Sequence, residues 1–156
     1  MRKNVQYHNM LRHILLGLEQ EAPVEYGTHF TMHKAYFGTC IDTKVYIVEP
    51  FLNDTFTKIV NNDGSIKCID STLKQKAEAF VHYSYKALHK PGIVVDIQGV
   101  GYQLTDPEIA CKEEFIKEKG KLFGGDNLRD ICIDNLFQEH KCNTYCIMLN
   151  LEDNVA

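Results

Sequence analysis

Hydrophobic residues recur at spacings of three and four near the start of the chain, at Tyr7, Met10, Leu11, Ile14, Leu15 and Leu18. One apolar stripe with that period predicts a helix over 5–19, ended by Pro23 and Gly27. From 29 to 69 the runs shorten. Lys44-Val45-Tyr46-Ile47-Val48 reads as a strand closed by Pro50, the stretch 51–59 continues the sheet, and Asn62, Asp63 and Gly64 form a turn. Helical spacing returns over 72–89, with Ala77, Phe80, Val81, Ser84 and Leu88 on one side and a break at Pro91 and Gly92. Ile93-Val94-Val95-Asp96-Ile97-Gln98 is β-branched and apolar, which predicts a buried strand. Thr105, Asp106 and Pro107 read as a helix start, with Asp106 as N-cap and Pro107 in the first turn. The charged stretch 112–121 reads as a solvated face, Gly124 and Gly125 as a loop, and 128–137 as a last helix running on toward Cys146. Strands gathered early and helices late give an α+β arrangement.

A length of 156 residues fits one domain. Hydrophobic residues at 44% and charged residues at 24% are globular values, which excludes disorder as the main state. Lys and Arg total 17 against 21 Asp and Glu, for a net charge of −4. No nucleic-acid partner is expected from that balance. No apolar run approaches the ~18 residues of a membrane span. Arg12 and His13 interrupt the first apolar stretch, so it does not read as a signal peptide. The expected location is therefore cytoplasmic. There the cysteines at 40, 68, 111, 132, 142 and 146 are expected to be free or metal-bound rather than paired in disulfides.

Three clusters carry candidate chemistry. Alternation along the 93–98 strand sends Val94, Asp96 and Gln98 to one face and Ile93, Val95 and Ile97 to the other. Gly99 and Gly101 let the chain turn, and Asp106 follows. Two carboxylates and an amide oxygen suit Mg²⁺ with substrate phosphates, and one carboxylate can take a proton from an attacking hydroxyl. The structural alternative has Asp106 capping a helix and Asp96 in a buried hydrogen bond. Gly99 and Gly101 alone do not make a dinucleotide fingerprint. The second cluster is His140, Cys142 and Cys146; the two thiols, four apart, would share a helix face. These are zinc ligands, and His82, Cys132 and Cys111 are candidates for a fourth. The alternative is two buried thiols and a core histidine. The third is Gly124-Gly125-Asp126-Asn127-Leu128, where a connection is favoured over an anion site because Asp126 opposes phosphate. His8, His13, His29, His33 and His89 show no partner in the sequence.

Taken together, Val94-Val95-Asp96-Ile97-Gln98-Gly99-Val100-Gly101 and Leu104-Thr105-Asp106-Pro107 resemble the central signature of the α-kinases. These atypical Ser/Thr protein kinases include myosin heavy chain kinases, elongation factor 2 kinase and the channel-kinases. Phe123 to Leu128 resembles their glycine-rich loop, and His140-Lys141-Cys142-Asn143 with Cys146 their zinc motif. Val48-Glu49-Pro50, Phe56 with Lys58, and Asn61 to Gly64 resemble the hinge region; 79–85 resembles a helix carrying a further zinc histidine.

The resemblance implies a protein-kinase-like α+β fold, with a partial small lobe and hinge over 1–60, a zinc-bearing large lobe over 61–151 and a tail at 152–156. It implies transfer of the ATP γ-phosphate to a Ser or Thr of a protein substrate. Asp96 would be the catalytic aspartate. Gln98 and Asp106 would hold Mg²⁺, Glu49 would lie beside the adenine and Lys58 near the nucleotide. His82, His140, Cys142 and Cys146 would bind a structural Zn²⁺. Two departures stand out. The chain begins at what resembles the small-lobe helix, so the strands carrying the family's phosphate cover and phosphate-gripping lysine have no counterpart; activity is expected to need them from an upstream segment or another chain. Asp126 and Arg129 also stand where the family's loop carries glycine. The alternative function is an inactive, zinc-stabilised, kinase-like interaction module.

Overall fold

A computed structural model describes residues 2–39, 41, 44–89, 92–112 and 129–151. The first apolar stripe forms α1, Arg2–Glu21, and buries Leu11, Ile14, Leu15 and Leu18. The second forms α2, Ser71–Ala87, whose N-cap Asp70 accepts a hydrogen bond from the Leu73 amide at 2.8 Å. These helices meet where Gly17 faces the Tyr83 hydroxyl, and Glu21 receives Tyr83 Oη at 2.9 Å and Lys86 Nζ at 3.1 Å.

The strands are short: β1 Thr31–Met32, β2 Tyr36–Thr39, β3 Val45–Val48, β4 Phe56–Lys58, β5 Gly92–Val95, β6 Gln98–Val100, β7 Gln103–Leu104 and β8 Glu108–Cys111. One sheet has the order β1-β7-β6-β4, with β1 parallel to β7 and the other pairs antiparallel. The pairs β2–β3 and β5–β8 form two further antiparallel ladders. All four residues of β5 are buried. It is fastened to α2 by Ser84, whose Oγ donates to the Val81 carbonyl at 2.6 Å and accepts from the Val94 amide at 2.8 Å. The β2–β3 ladder, by contrast, exposes Tyr36, Phe37, Tyr46 and Val48. Two short helices follow, α3 Arg129–Glu139 and α4 Thr144–Met148.

Five sequence expectations are corrected. The 93–98 strand breaks at Asp96, whose φ of 55° lies in the left-handed region, so β5 and β6 belong to different sheets. Residues 105–107 do not start a helix: Asp106 has φ 48° and leads into β8, because pairing with the buried β5 outweighs a local capping signal. The last helix stops at Glu139, and Cys142 lies outside α4, ahead of its N-cap Asn143. Sheet structure in 51–59 is limited to Phe56–Lys58, and four strands follow α2 rather than preceding it. The glycine-rich stretch at 124–128 and most of the 112–121 charge run lie outside the described residues.

A turn at Gly101 and Tyr102 joins β6 to β7, and Gly101 at φ 56° occupies the first central position. A Cβ at Gly101 would meet open space, whereas one at Gly99 would run into the Gln103 carbonyl. Gly101→Ala is therefore expected to cost only the left-handed penalty, about 1–2 kcal/mol. Gly99→Ala should cost clearly more, because backbone must move; urea unfolding of the two variants checks the ranking.

Candidate active site and metal cluster

The break after β5 builds the first site. Asp96 leaves a buried strand and is itself 9% exposed. Its amide donates to the Asn61 carbonyl at 3.3 Å, and the Ile97 carbonyl accepts from the amides of Ile59 at 2.8 Å and Val60 at 3.0 Å. These bonds hold a left-handed residue that would otherwise cost about 1–3 kcal/mol. Because Lys58 on β4 stands opposite Gln98 on β6, its ammonium comes within 2.5 Å of Asp96 Oδ1. Gln98 Nε2 donates to Asp96 Oδ2 at 3.1 Å and to the Asp106 carbonyl at 3.2 Å. Both partners are acceptors, which fixes the amide orientation and leaves Oε1 as its cation-binding atom.

Asp106 is the second left-handed carboxylate, two residues before Glu108. Burial raises the Glu108 pKa, and the negative fields of Asp96 and Asp106 raise it further against the opposing Lys58 ammonium. A place where carboxylates resist a further negative charge, beside an amide oxygen, is chemically suited to a hard divalent cation. Glu49 follows β3 at one residue's remove. Its Oε2 accepts from Thr105 Oγ1 at 2.6 Å, and its Oε1 lies 3.0 Å from His8 Nε2. Of the nine residues singled out from sequence, Asp96, Gln98 and Lys58 thus meet at one place, Asp106 joins them through its backbone carbonyl, and Glu49 reaches them through Thr105.

The other four form a separate cluster. The ligand atoms of His82, His140, Cys142 and Cys146 all lie within 4.8 Å of one another. His82 comes from the buried middle of α2, His140 directly follows α3, and Cys146 lies in α4. Cys142 Sγ is 3.5 Å from His82 Nδ1, and Cys146 Sγ is 3.4 Å from His140 Nε2. Tetrahedral zinc bonds of ~2.3 Å to sulfur and ~2.05 Å to nitrogen place those atoms ~3.5 Å apart, so the donor set and spacing fit that ion. Of the three candidates for a fourth donor, His82 is the one that lies in this cluster. Cys132 instead donates to the Asn62 carbonyl at 3.1 Å, and Cys111 packs against Gly92.

Several contributors escaped the sequence reading. Asn143 Oδ1 accepts from the Tyr145 amide at 2.9 Å and the Cys146 amide at 3.2 Å, while its Nδ2 donates to the Gln75 carbonyl at 2.9 Å. An asparagine just before a short apolar run was a legible capping signal. Beyond α4, Asn150 at φ 50° and the bonds Leu151 N to Cys146 O at 3.0 Å and Asn150 N to Ile147 O at 3.0 Å form a Schellman motif. Lys76 is buried, donates to the Thr28 carbonyl at 2.5 Å, and lies 5.0–5.1 Å from the ring centres of Tyr26, Tyr102 and Tyr145. Burial lowers the pKa of that ammonium. His8, His29 and His33 also have partners, in Glu49, Glu19 and Gln103. No local pattern announces such distant pairs.

The alpha-kinase family pattern matches residues 4–146. Transient receptor potential cation channel subfamily M member 6 of Homo sapiens is 36% identical over 106 residues, 68% of this chain and 5% of that protein. Myosin heavy chain kinase A of Dictyostelium discoideum is 38% identical over 105 residues, 67% of this chain and 8% of that protein. The crystal structure of the inactive alpha-kinase domain of myosin heavy chain kinase A in complex with ATP superposes with a TM-score of 0.80 at 28% identity, covering 98% of this chain and 58% of that one. The same domain in complex with ADP gives 0.79 at 28% identity, covering 98% and 59%. The fold is therefore that of an alpha-kinase domain, and this chain spans somewhat over half the length of the solved ones. The chain belongs to the alpha-kinase family. Among the described residues no helix is long and apolar enough to cross a membrane.

The five described cysteines, 68, 111, 132, 142 and 146, form no disulfide. Burial pushes the Cys111 thiol up to about 12, and burial with the nearby Asp63 charge pushes Cys132 up to about 11. Raised thiol pKa values keep the reactive thiolate scarce at pH 8. Iodoacetamide at pH 8 is expected to spare Cys111 and Cys132 in the native chain and label both after denaturation, as peptide mass spectrometry will show.

Proposed function

We propose that this chain carries the phosphoryl-transfer residues of an ATP-dependent protein kinase acting on Ser or Thr hydroxyls of a protein. The observation that carries the reading is the Asp96 carboxylate held between Lys58 and Gln98, with the Gln98 amide also joined to the Asp106 backbone. Phosphoryl transfer needs positioned charge more than covalent chemistry from the protein. In this reading Asp96 accepts the proton as the substrate oxygen bonds to the γ-phosphorus and the bond to the β-phosphate oxygen breaks. Lys58 keeps Asp96 oriented and adds positive charge beside the phosphates. Glu49, after β3, marks the adenine end, with 1–60 as hinge and small-lobe remainder and 61–151 as large lobe. Gln98 Oε1 and the Asp106 carboxylate would hold Mg²⁺, which when bound supplies charge neutralisation to the phosphate oxygens.

His82, His140, Cys142 and Cys146 would hold a structural Zn²⁺ as a closed four-ligand site. Two thiolate ligands call for a reducing compartment, which favours a cytoplasmic setting. Support for the nucleotide comes from the myosin heavy chain kinase A domain, whose solved structures include complexes with ATP and ADP.

Calorimetry should show saturable Mg²⁺-ATP binding that Asp106→Ala abolishes. Asp96→Asn should retain binding and lose about 10²–10⁴-fold in transfer of radiolabelled phosphate to a protein substrate. A folded chain that takes up no nucleotide at millimolar concentration would instead be the zinc-held interaction module. Structural zinc contributes about 10–16 kcal/mol in small peptides, while whole-domain stability is about 5–15 kcal/mol. Chelation is accordingly expected to unfold the chain; a preparation lacking stoichiometric zinc that still melts cooperatively would refute the metal assignment.

A further inference from the structure

Both oxygens of the Glu49 carboxylate are engaged by side chains from other parts of the fold. His8, 1% exposed on α1, lies 3.0 Å from Oε1 through its Nε2, and Thr105 Oγ1 donates to Oε2 at 2.6 Å. Thr105 is pinned from the other side as well, its amide donating to the Gln98 carbonyl at 3.0 Å. The next residue, Asp106, adopts φ 48°, and its carbonyl accepts from Gln98 Nε2 at 3.2 Å. β1 pairs with Gln103 and Leu104, and β5 pairs with Glu108; between these two ladders the side-chain tie from Thr105 to Glu49 adds an anchor to a distant element. We infer that Glu49 is a positioning clamp: it ties Thr105 to α1 and the end of β3, and so fixes the strained backbone that presents Asp106 to the cation. With both oxygens occupied, its carboxylate acts through Thr105 rather than by touching a nucleotide.

This inference rests on the proposed role of Asp106 as a Mg²⁺ ligand. The decisive variants are at Thr105, because removing Glu49 would strand the buried His8. Thr105→Val keeps the shape and loses the donor, while Thr105→Ser keeps the donor. ATP binding to the intact chain is titrated against Mg²⁺, and again with Mg²⁺ omitted and no chelator present, and amide exchange over 103–106 is followed without nucleotide. Thr105→Val should raise the Mg²⁺ needed for half-saturation about tenfold, leave Mg²⁺-free binding unchanged and speed exchange in that segment; Thr105→Ser should stay within about twofold on every measure. Faster exchange in Thr105→Val from a wild type that binds no Mg²⁺-ATP supports the clamp and removes the kinase reading. Unchanged exchange and Mg²⁺ dependence in Thr105→Val, with normal wild-type binding lost in Asp106→Ala, overturns the clamp and leaves the kinase reading standing.

Discussion

A carboxylate that departs from a fully buried strand sets the arrangement of the site. Continued extension past Val95 would carry Asp96 along the β5–β8 ladder, away from Lys58 and Gln98. The left-handed turn at Asp96 redirects the chain into the other sheet, and backbone bonds with Ile59, Val60 and Asn61 keep that turn in place. The site is thus a junction between two ladders. Its polar groups come from the ends of β4, β5 and β6 and from the approach to β8, which is why they converge despite their separation in sequence.

What was legible in the residues follows the range of the forces involved. The stripes of α1 and α2 could be read because a helix writes its burial at a period of 3.6, and Leu11, Leu18, Ala77 and Phe80 are buried as that period requires. The chemistry-bearing residues could be named because their types and order resemble a family. Their local geometry could not be read. Asp106 ahead of Pro107 has the composition of a helix start, yet the partner that decides its conformation is β5. The 93–98 run has the composition of one strand, but the kink at Asp96 depends on carbonyl and amide partners in 59–61. Pairings such as His8 with Glu49 leave no periodic trace at all.

The His and Cys cluster joins three elements whose apolar side chains also enter the core, among them Phe80, Ile133 and the C-cap Leu149. A helix of five residues such as α4 has no stability of its own. Here it is capped by Asn143, closed by the Schellman bonds at Asn150 and Leu151, and anchored at Cys146 beside a histidine from the end of α3 and another from α2. Side chains from α2, from the end of α3 and from α4 come together at one point. The same Asn143 reaches back to the Gln75 carbonyl, so the cluster and the packing of α2 are secured together.

Lys76 makes a different kind of connection. Its ammonium lies among rings from the turn after α1, from the β6–β7 turn and from α4, with the Thr28 carbonyl as acceptor. A desolvated cation is tolerable only while those faces surround it together, since withdrawing any one admits an unfavourable half-hydrated state. The consequence is all-or-none assembly: the N-terminal turn, the central hairpin and the final helix cannot melt one after another around this charge, and should be lost as one cooperative unit.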